Sequence, residues 1–252
     1  MSLEKKVYDD PIIDAIPCPM LASFTADADV SYPCTWVEAM VSSYLQSGAD
    51  LVIGPVKMCR EYPLQCMEYL SIMGITAGSA GNNNPLMCNA CSMAFSKEWY
   101  NKCDVQLSVP SGDDMFLLES TKKLDGIVHF CNHGEAEVTI KGSDSIKEFF
   151  RQRARWTSKA PHYTDLSIIA SGALVFAMQC LMIGIYIMSF WNPALLVWVA
   201  AKYIIDMLIL LPTAIRFKKT SVLVYSPIVA LYYPIYVVFT AILSLLPVKW
   251  KN

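Results

Sequence analysis
Neither sign of charge is in excess: 20 lysines and arginines stand against 22 aspartates and glutamates, a formal net charge of -2. No basic stripe interleaves with aromatics, so nucleic acid is excluded as a partner on electrostatic grounds. The sequence has no Gly-rich phosphate loop and no serine-hydrolase elbow, which removes two common signatures of nucleotide binding and acyl transfer. Residues 1–6 are polar, so no inserting or targeting segment is expected there. The nine cysteines follow no regular spacing, which points to reduced thiols in a cytosolic compartment. Charged residues are scarce at 17%, against 54% hydrophobic. A mean hydropathy of +0.37 is too high for an ordinary soluble domain.

The apolar excess is concentrated beyond residue 160. Residues 166–190 form an apolar run long enough to span a hydrocarbon core of ~30 Å. Residues 194–212 make a second span and 223–247 a third, the last interrupted by Pro227 and Pro234. Lys147, Arg151, Arg153, Arg155 and Lys159 precede the first span, and Arg216, Lys218 and Lys219 separate the second from the third. The loop Trp191–Pro193 carries no charge. The positive-inside rule then puts residues 1–160 in the cytoplasm of a multi-pass inner-membrane protein. Lys249 and Lys251 would fall outside, against the trend, which leaves a re-entrant third segment as the alternative. Lys202 and Asp206, four apart in the second span, read first as a structural pair and second as an ion path.

The first 160 residues alternate strand-like and helix-like segments, which argues an α/β layer architecture. A strand is expected from Met20 to Phe24. A helix is expected from Thr35 to Gly48, with Thr35 and Glu38 as a capping box and Trp36, Val37, Met40, Val41, Tyr44 and Leu45 inside. Leu51–Ile53 reads as a buried strand, 62–75 as a helix, and Gly78–Pro85 as a turn. Cys88–Phe95 reads as a strand or strand-turn, followed by a short helix from Ser96. Val105–Val109 leads to Ser111, a helix covers Met115–Ser120, and strands cover Ile127–Phe130 and Ala136–Ile140. Ser143–Trp156 forms a basic amphipathic helix.

Three places carry chemistry. Asp27 and Asp29, two apart at the end of a strand, can converge on a hard divalent cation, although such pairs more often mark a solvated turn. Asp113 and Asp114 enter a helix after Gly112, either as a cap or with Asp114 as a general base. Gln152, Arg155 and Trp156 end the basic helix. Read simply, that segment binds lipid headgroups; read functionally, it offers a guanidinium to a diphosphate and an aromatic face to a sugar. The Cys88/Cys91 pair lacks a partner pair at zinc spacing, and His129, Cys131 and His133 lack a fourth ligand.

The order Asp27-Ala-Asp29, Asp113-Asp114, Gln152-x-x-Arg155-Trp156 and then membrane spans resembles the membrane-bound family-2 glycosyltransferases, which include cellulose, chitin, hyaluronan and poly-N-acetylglucosamine synthases. Thr25–Val30 with Trp36 looks like their metal and nucleotide-diphosphate motif, and Gly48–Val56 is similar to the strand that follows it. Cys88–Phe95 resembles the acceptor-side loop, with Ala90 where many members have glycine. Gly112–Asp114 resembles the paired-acid motif whose second acid is the base, and residues 248–251 are similar to a Trp-Lys tail.

The resemblance implies a partial GT-A (Rossmann-like) α/β domain over 1–142, an amphipathic interfacial helix over 143–160, and an α-helical transmembrane region over 161–252. It implies inverting transfer of a sugar from a nucleotide-diphosphate donor, UDP-linked by expectation, to a polysaccharide or lipid-linked acceptor. Asp27 and Asp29 would hold Mg2+ or Mn2+, and Asp114, beside Asp113, would be the base. Gln152 and Arg155 would meet the leaving diphosphate. Trp156 would stack on the acceptor, beside Cys88, Asn89 and Ala90. Set against the family, the first strands of the nucleotide-binding half and an N-terminal span are missing. The expectation is therefore a fragment, or a chain whose partner supplies that half, with a non-catalytic membrane scaffold as the alternative.

Overall fold
Leu51, Val52 and Ile53 are three branched apolar residues in a row, and all three are fully buried, as a strand covered on both faces requires. The computed structural model describes residues 22–59, 62–105 and 112–245. Its strands are β1 (Ala22–Thr25), β2 (Leu51–Ile53), β3 (Val56–Met58), β4 (Met93–Ser96), β5 (Val128–Phe130) and β6 (Val138–Ile140). A four-stranded sheet runs β1-β4-β2-β5, with β4 antiparallel to both neighbours and β2 parallel to β5. The β3–β6 pair is a second, parallel sheet, bridged by Ser31 to Thr139. The mixed α/β class expected for this region holds. The expectations for residues 1–20, for most of Val105–Ser111, and for 248–251 lie outside the described residues.

Helix α1 (Trp36–Ser47) stops where Gly48 adopts a left-handed φ of 62°. The expected capping box does not form: the Thr35 hydroxyl instead donates to the Glu135 carbonyl at 3.0 Å. Trp36, Ala39, Met40, Ser43 and Tyr44 face inward, while Val37 and Leu45, expected inside, are exposed. Helix α2 (Pro63–Gly81) runs well past the expected end at residue 75 and absorbs the start of the predicted turn. Its small residues explain the extension. Thr76 and Ala80 are buried, and Gly74 lets α2 approach a later helix so closely that an added Cβ would lie 2.8 Å from Ile209 Cγ2. Short α3 (Lys97–Lys102) is capped by Ser96, which accepts the Trp99 N–H at 2.9 Å. Helices α4 (Asp113–Lys123) and α5 (Ile146–Thr157) complete the α/β part.

Beyond it lie α6 (Leu166–Met188), α7 (Leu196–Arg216) and α8 (Ser226–Ser244). Among the described residues, three helical stretches are long and apolar enough to cross a membrane: Leu166–Met188, Pro193–Arg216 and Thr220–Ser244. Leu174, Ile204, Leu208, Leu231 and Ile235 point outward from them, the surface of a membrane protein. Pro212 and Pro234 lie inside helices rather than ending them, so the third segment is one continuous helix and not a pair of half-helices. Pro234 has no N–H to give the Ala230 carbonyl, and the Tyr186 hydroxyl of α6 donates to that carbonyl at 2.8 Å. Lys202 and Asp206 pair at 2.5 Å along α7.

The apolar core does not divide at residue 160. Val52 and Ala94 of the sheet, Met67, Leu70 and Met73 of α2, Leu210 and Ala214 of α7 and Val229 of α8 form one cluster. On the opposite face of the sheet, Leu51, Met93 and Phe95 pack on Leu117 and Leu118 of α4 and on Ile168 of α6.

Tyr186→Phe should destabilise the detergent-solubilised protein by about 0.5–1.5 kcal/mol, the net value of one hydrogen bond. In a Pro234→Ala background the restored N–H satisfies Ala230, so the same substitution should cost less. Denaturant unfolding of the four proteins in that double-mutant cycle reads the difference. Equal cost in both backgrounds would count against the tyrosine–carbonyl bond.

Candidate functional site
Residues 89–92 have no regular structure, yet each is tied to a different part of the fold. Asn89 Nδ2 donates to the Tyr69 hydroxyl of α2. The Ala90 N–H donates to Asp114 Oδ2 at 3.2 Å. The Cys91 carbonyl accepts the Tyr32 hydroxyl at 2.8 Å. The Ser92 carbonyl accepts the Gly54 N–H at 2.7 Å, and its hydroxyl accepts Trp36 Nε1–H at 3.1 Å. The loop sits at the mouth of the sheet because β4 begins directly after it, between β1 and β2.

Asp27 and Asp29 reach this loop by a different backbone from the one expected. The strand ends at Thr25, and Val30 N–H closes a turn on the Asp27 carbonyl at 3.3 Å, so the pair sits on a turn, not an extended segment. Both residues are exposed. The Asp27 N–H donates to the Tyr32 hydroxyl at 2.8 Å. Tyr32 thus stitches the acidic turn to the Cys91 carbonyl, and burial then the nearby Cys91, Asp27 and Asp29 hold its phenol well above the usual range. The Cys91 thiol is held protonated by burial first and then by Asp27, Asp114 and Asp29. One thiol feels three carboxylates, so the two acidic motifs, far apart in the chain, face a common loop.

Asp114 enters by a sharp turn. Gly112 has φ of 101°, a left-handed value that suits glycine, and α4 starts at the next residue. Asp114 Oδ1 accepts the Met115 N–H at 2.9 Å while Oδ2 takes Ala90, so the carboxylate bridges its own helix and the loop. It is therefore more than a cap. It also raises the half-buried Cys88 thiol, after burial itself, and adds to the burial that raises Tyr163.

The third motif lies within a single helix, α5. Arg155 and Trp156 are half-buried, and Trp156 packs on the core that holds the sheet. Gln152 Oε1 accepts from Arg153 Nη1 at 2.5 Å and from Ser143 Oγ at 3.4 Å, so its acceptor oxygen is taken up within its own segment. Arg153 is 3% exposed and pairs with Glu68, so this cation of the segment is turned inward rather than toward lipid headgroups. Lys159 is a cation the motifs did not single out. Its chain is buried against Gly112, where an added Cβ would lie 2.8 Å from Lys159 Cδ. Burial lowers the Lys159 ammonium and Arg155 adds to that, while Asp114 and Asp113 oppose it. Arg155, Lys159, Asp113 and Asp114 therefore share one electrostatic neighbourhood.

Tyr32 and Tyr69 are not singled out by the sequence, Lys159 reads there only as a charge before the first span, and Cys91 only as half of an unpartnered Cys pair. Each acts here on a residue distant in the chain, which no local pattern marks. Among the described residues, no group of three or more His, Cys, Asp or Glu gathers to hold a metal ion. Asp27 and Asp29 supply hard oxygen donors at the surface, a set that suits a cation also bound by a substrate's phosphates.

Gly54→Ala should disturb this site without touching an acid. Its Cβ would lie 1.9 Å from Ser92 Oγ, so the loop must move. The expected cost is about 1–3 kcal/mol, an overpacking value. Thermal unfolding checks it, and Cys91 should react faster with a maleimide in the variant. Unchanged stability and unchanged labelling would show that the loop does not need its close approach to Gly54.

No protein-family model matches the chain, and no curated protein matches it either. The residues gathered around 89–92 are what a functional reading has to stand on.

Proposed function
We propose that this chain carries the acceptor-side half of an inverting glycosyltransferase site, working at the cytoplasmic face of the cell membrane on a nucleotide-diphosphate sugar. The observation that supports it most is the Asp114 carboxylate bound to the Ala90 N–H, in a loop whose Cys91 also feels Asp27 and Asp29.

The chemistry follows from what such an arrangement can do. An acceptor hydroxyl held near residues 88–90 gives its proton to Asp114 as its oxygen attacks the anomeric carbon. The bond from that carbon to the diphosphate oxygen breaks from the opposite side, which inverts the centre, and the diphosphate leaves with the electron pair. Arg155, with Lys159 beside it, places positive charge where that leaving group gains negative charge. Asp113 adds to the negative charge that favours the ammonium form of Lys159. Asp27 and Asp29 would hold a magnesium or manganese ion, which when bound neutralises charge on the diphosphate. The Trp156 ring offers a face on which a sugar can stack. The acceptor is a glycan or a lipid-linked sugar, given the long apolar helices packed against the same core. A partner chain or a further segment would supply the strands that read the nucleotide base.

Asp114→Asn should lower sugar transfer ~10²–10⁴-fold while leaving UDP affinity unchanged. Purified protein in nanodiscs, given a panel of UDP-sugars, provides the assay, with calorimetry for UDP. Full turnover in the variant removes Asp114 as the base. A wild-type chain that, purified together with whatever partner chain accompanies it from its native membrane, binds no nucleotide with or without magnesium overturns the transferase reading and favours a membrane scaffold.

A further inference from the structure
Arg153 occupies one of the two positions within the Gln152–Trp156 motif to which the sequence assigns no role, yet its side chain is firmly held. It is 3% exposed. Its Nε lies 3.1 Å from both carboxylate oxygens of Glu68 on α2, and its Nη2 lies 2.6 Å from Oε2. The Tyr236 hydroxyl of α8 donates to Glu68 Oε1 at 2.5 Å. The guanidinium carbon lies 4.6 Å from the Phe149 ring centre and 4.3 Å from that of Trp156. Phe149 in turn stacks on Tyr236, ring centres 5.5 Å apart. Three helices meet at one cation, and one face of Trp156 rests on it.

Such an arrangement is a poor way to gain stability. Removing two charges from water is costly, and a well-packed apolar pair of similar volume often serves a fold as well or better. A planar guanidinium locked by a carboxylate does something an apolar pair cannot: it fixes the plane of a ring stacked on it. We propose that Arg153 is a positioning residue that sets the orientation of the Trp156 ring, with Glu68 fixing Arg153 and the Tyr236 hydroxyl fixing Glu68. The inference rests on the reading of Trp156 as the acceptor platform. It extends that reading to α2 and to the membrane-spanning α8, whose placement would reach the site through these three side chains.

The test uses the whole chain in nanodiscs, its six tryptophans labelled as 5-fluorotryptophan and Trp156 assigned with W156F. The variants are Tyr236→Phe, Arg153→Lys, and the apolar double variant Glu68→Met/Arg153→Met. In the wild type the Trp156 fluorine resonance should be single and narrow. In Arg153→Lys and the double variant it should shift and broaden while the other resonances hold, and Tyr236→Phe should give a smaller change in the same direction. Transfer to acceptor should fall at least tenfold in the double variant, through a raised acceptor KM, with UDP affinity and melting temperature near wild type.

An unmoved Trp156 resonance in Arg153→Lys and Tyr236→Phe overturns the inference, whatever the double variant does. Wild-type transfer by a stable double variant overturns it as well, because the ion pair would then only hold helices together. A wild-type chain that transfers no sugar is a failure of the transferase reading alone, and the fluorine resonance still decides whether Arg153 sets the ring.

Discussion
A loop without regular structure keeps a fixed shape only if its polar groups are bound from several sides, and residues 89–92 are bound from five. Tyr69, Asp114, Tyr32, Gly54 and Trp36 each hold one of them. The arrangement constrains both ways. The loop cannot move without releasing a buried partner, and the partners, drawn from α2, α4, the acidic turn, the end of β2 and α1, cannot drift apart while the loop holds. A buried polar network that is fully satisfied specifies one geometry, whereas a partly satisfied one costs more than an apolar core.

The second constraint is the continuity between sheet and long helices. Glu68 sits one residue before Tyr69, so the α2 segment that holds Asn89 also receives Arg153 and Tyr236. Glu119, 3% exposed on α4, accepts the N–H groups of Thr164 and Asp165 at 2.7 Å each, and Asp165 caps α6 by accepting the Ile168 N–H at 2.9 Å. The helix whose first turn carries Asp114 thus also fixes where the first apolar helix begins. Cutting the chain near residue 160 would leave Leu70, Met73 and Leu117 without part of their cover, so the sheet is not a separable soluble module.

Much of this was legible where the signal is local. An uninterrupted apolar triplet gave β2, a glycine with left-handed φ ended α1, and the runs beyond residue 160 formed long helices. The acidic pairs were visible as residue types, and the fold brings them to one loop. Signals failed where tertiary packing overrides propensity. The stretch from Gly78 reads as a turn, yet α2 runs on to Gly81 because Ala77 and Ala80 pack on Ile53 and Phe130 of the sheet. Val37 and Leu45 fit the helical stripe but fall outside the strip that the sheet covers. Thr35 and Glu38 had capping-box spacing, but Thr35 takes helical rather than extended backbone angles and its hydroxyl is turned to the Glu135 carbonyl. Pairs such as Arg153 with Glu68, or Tyr32 with Cys91, leave no periodic trace in a single sequence.

Glu137 accepts both Lys57, at 3.0 Å, and Arg216, whose Nη2 also donates to the Asn132 carbonyl at 2.8 Å. Arg153 is spent on Glu68, and the single charge of Glu137 is shared between Lys57 and Arg216, so part of the basic count is neutralised inside the fold. The electrostatic pull of the mature protein on a bilayer is weaker than a tally of its basic residues would give.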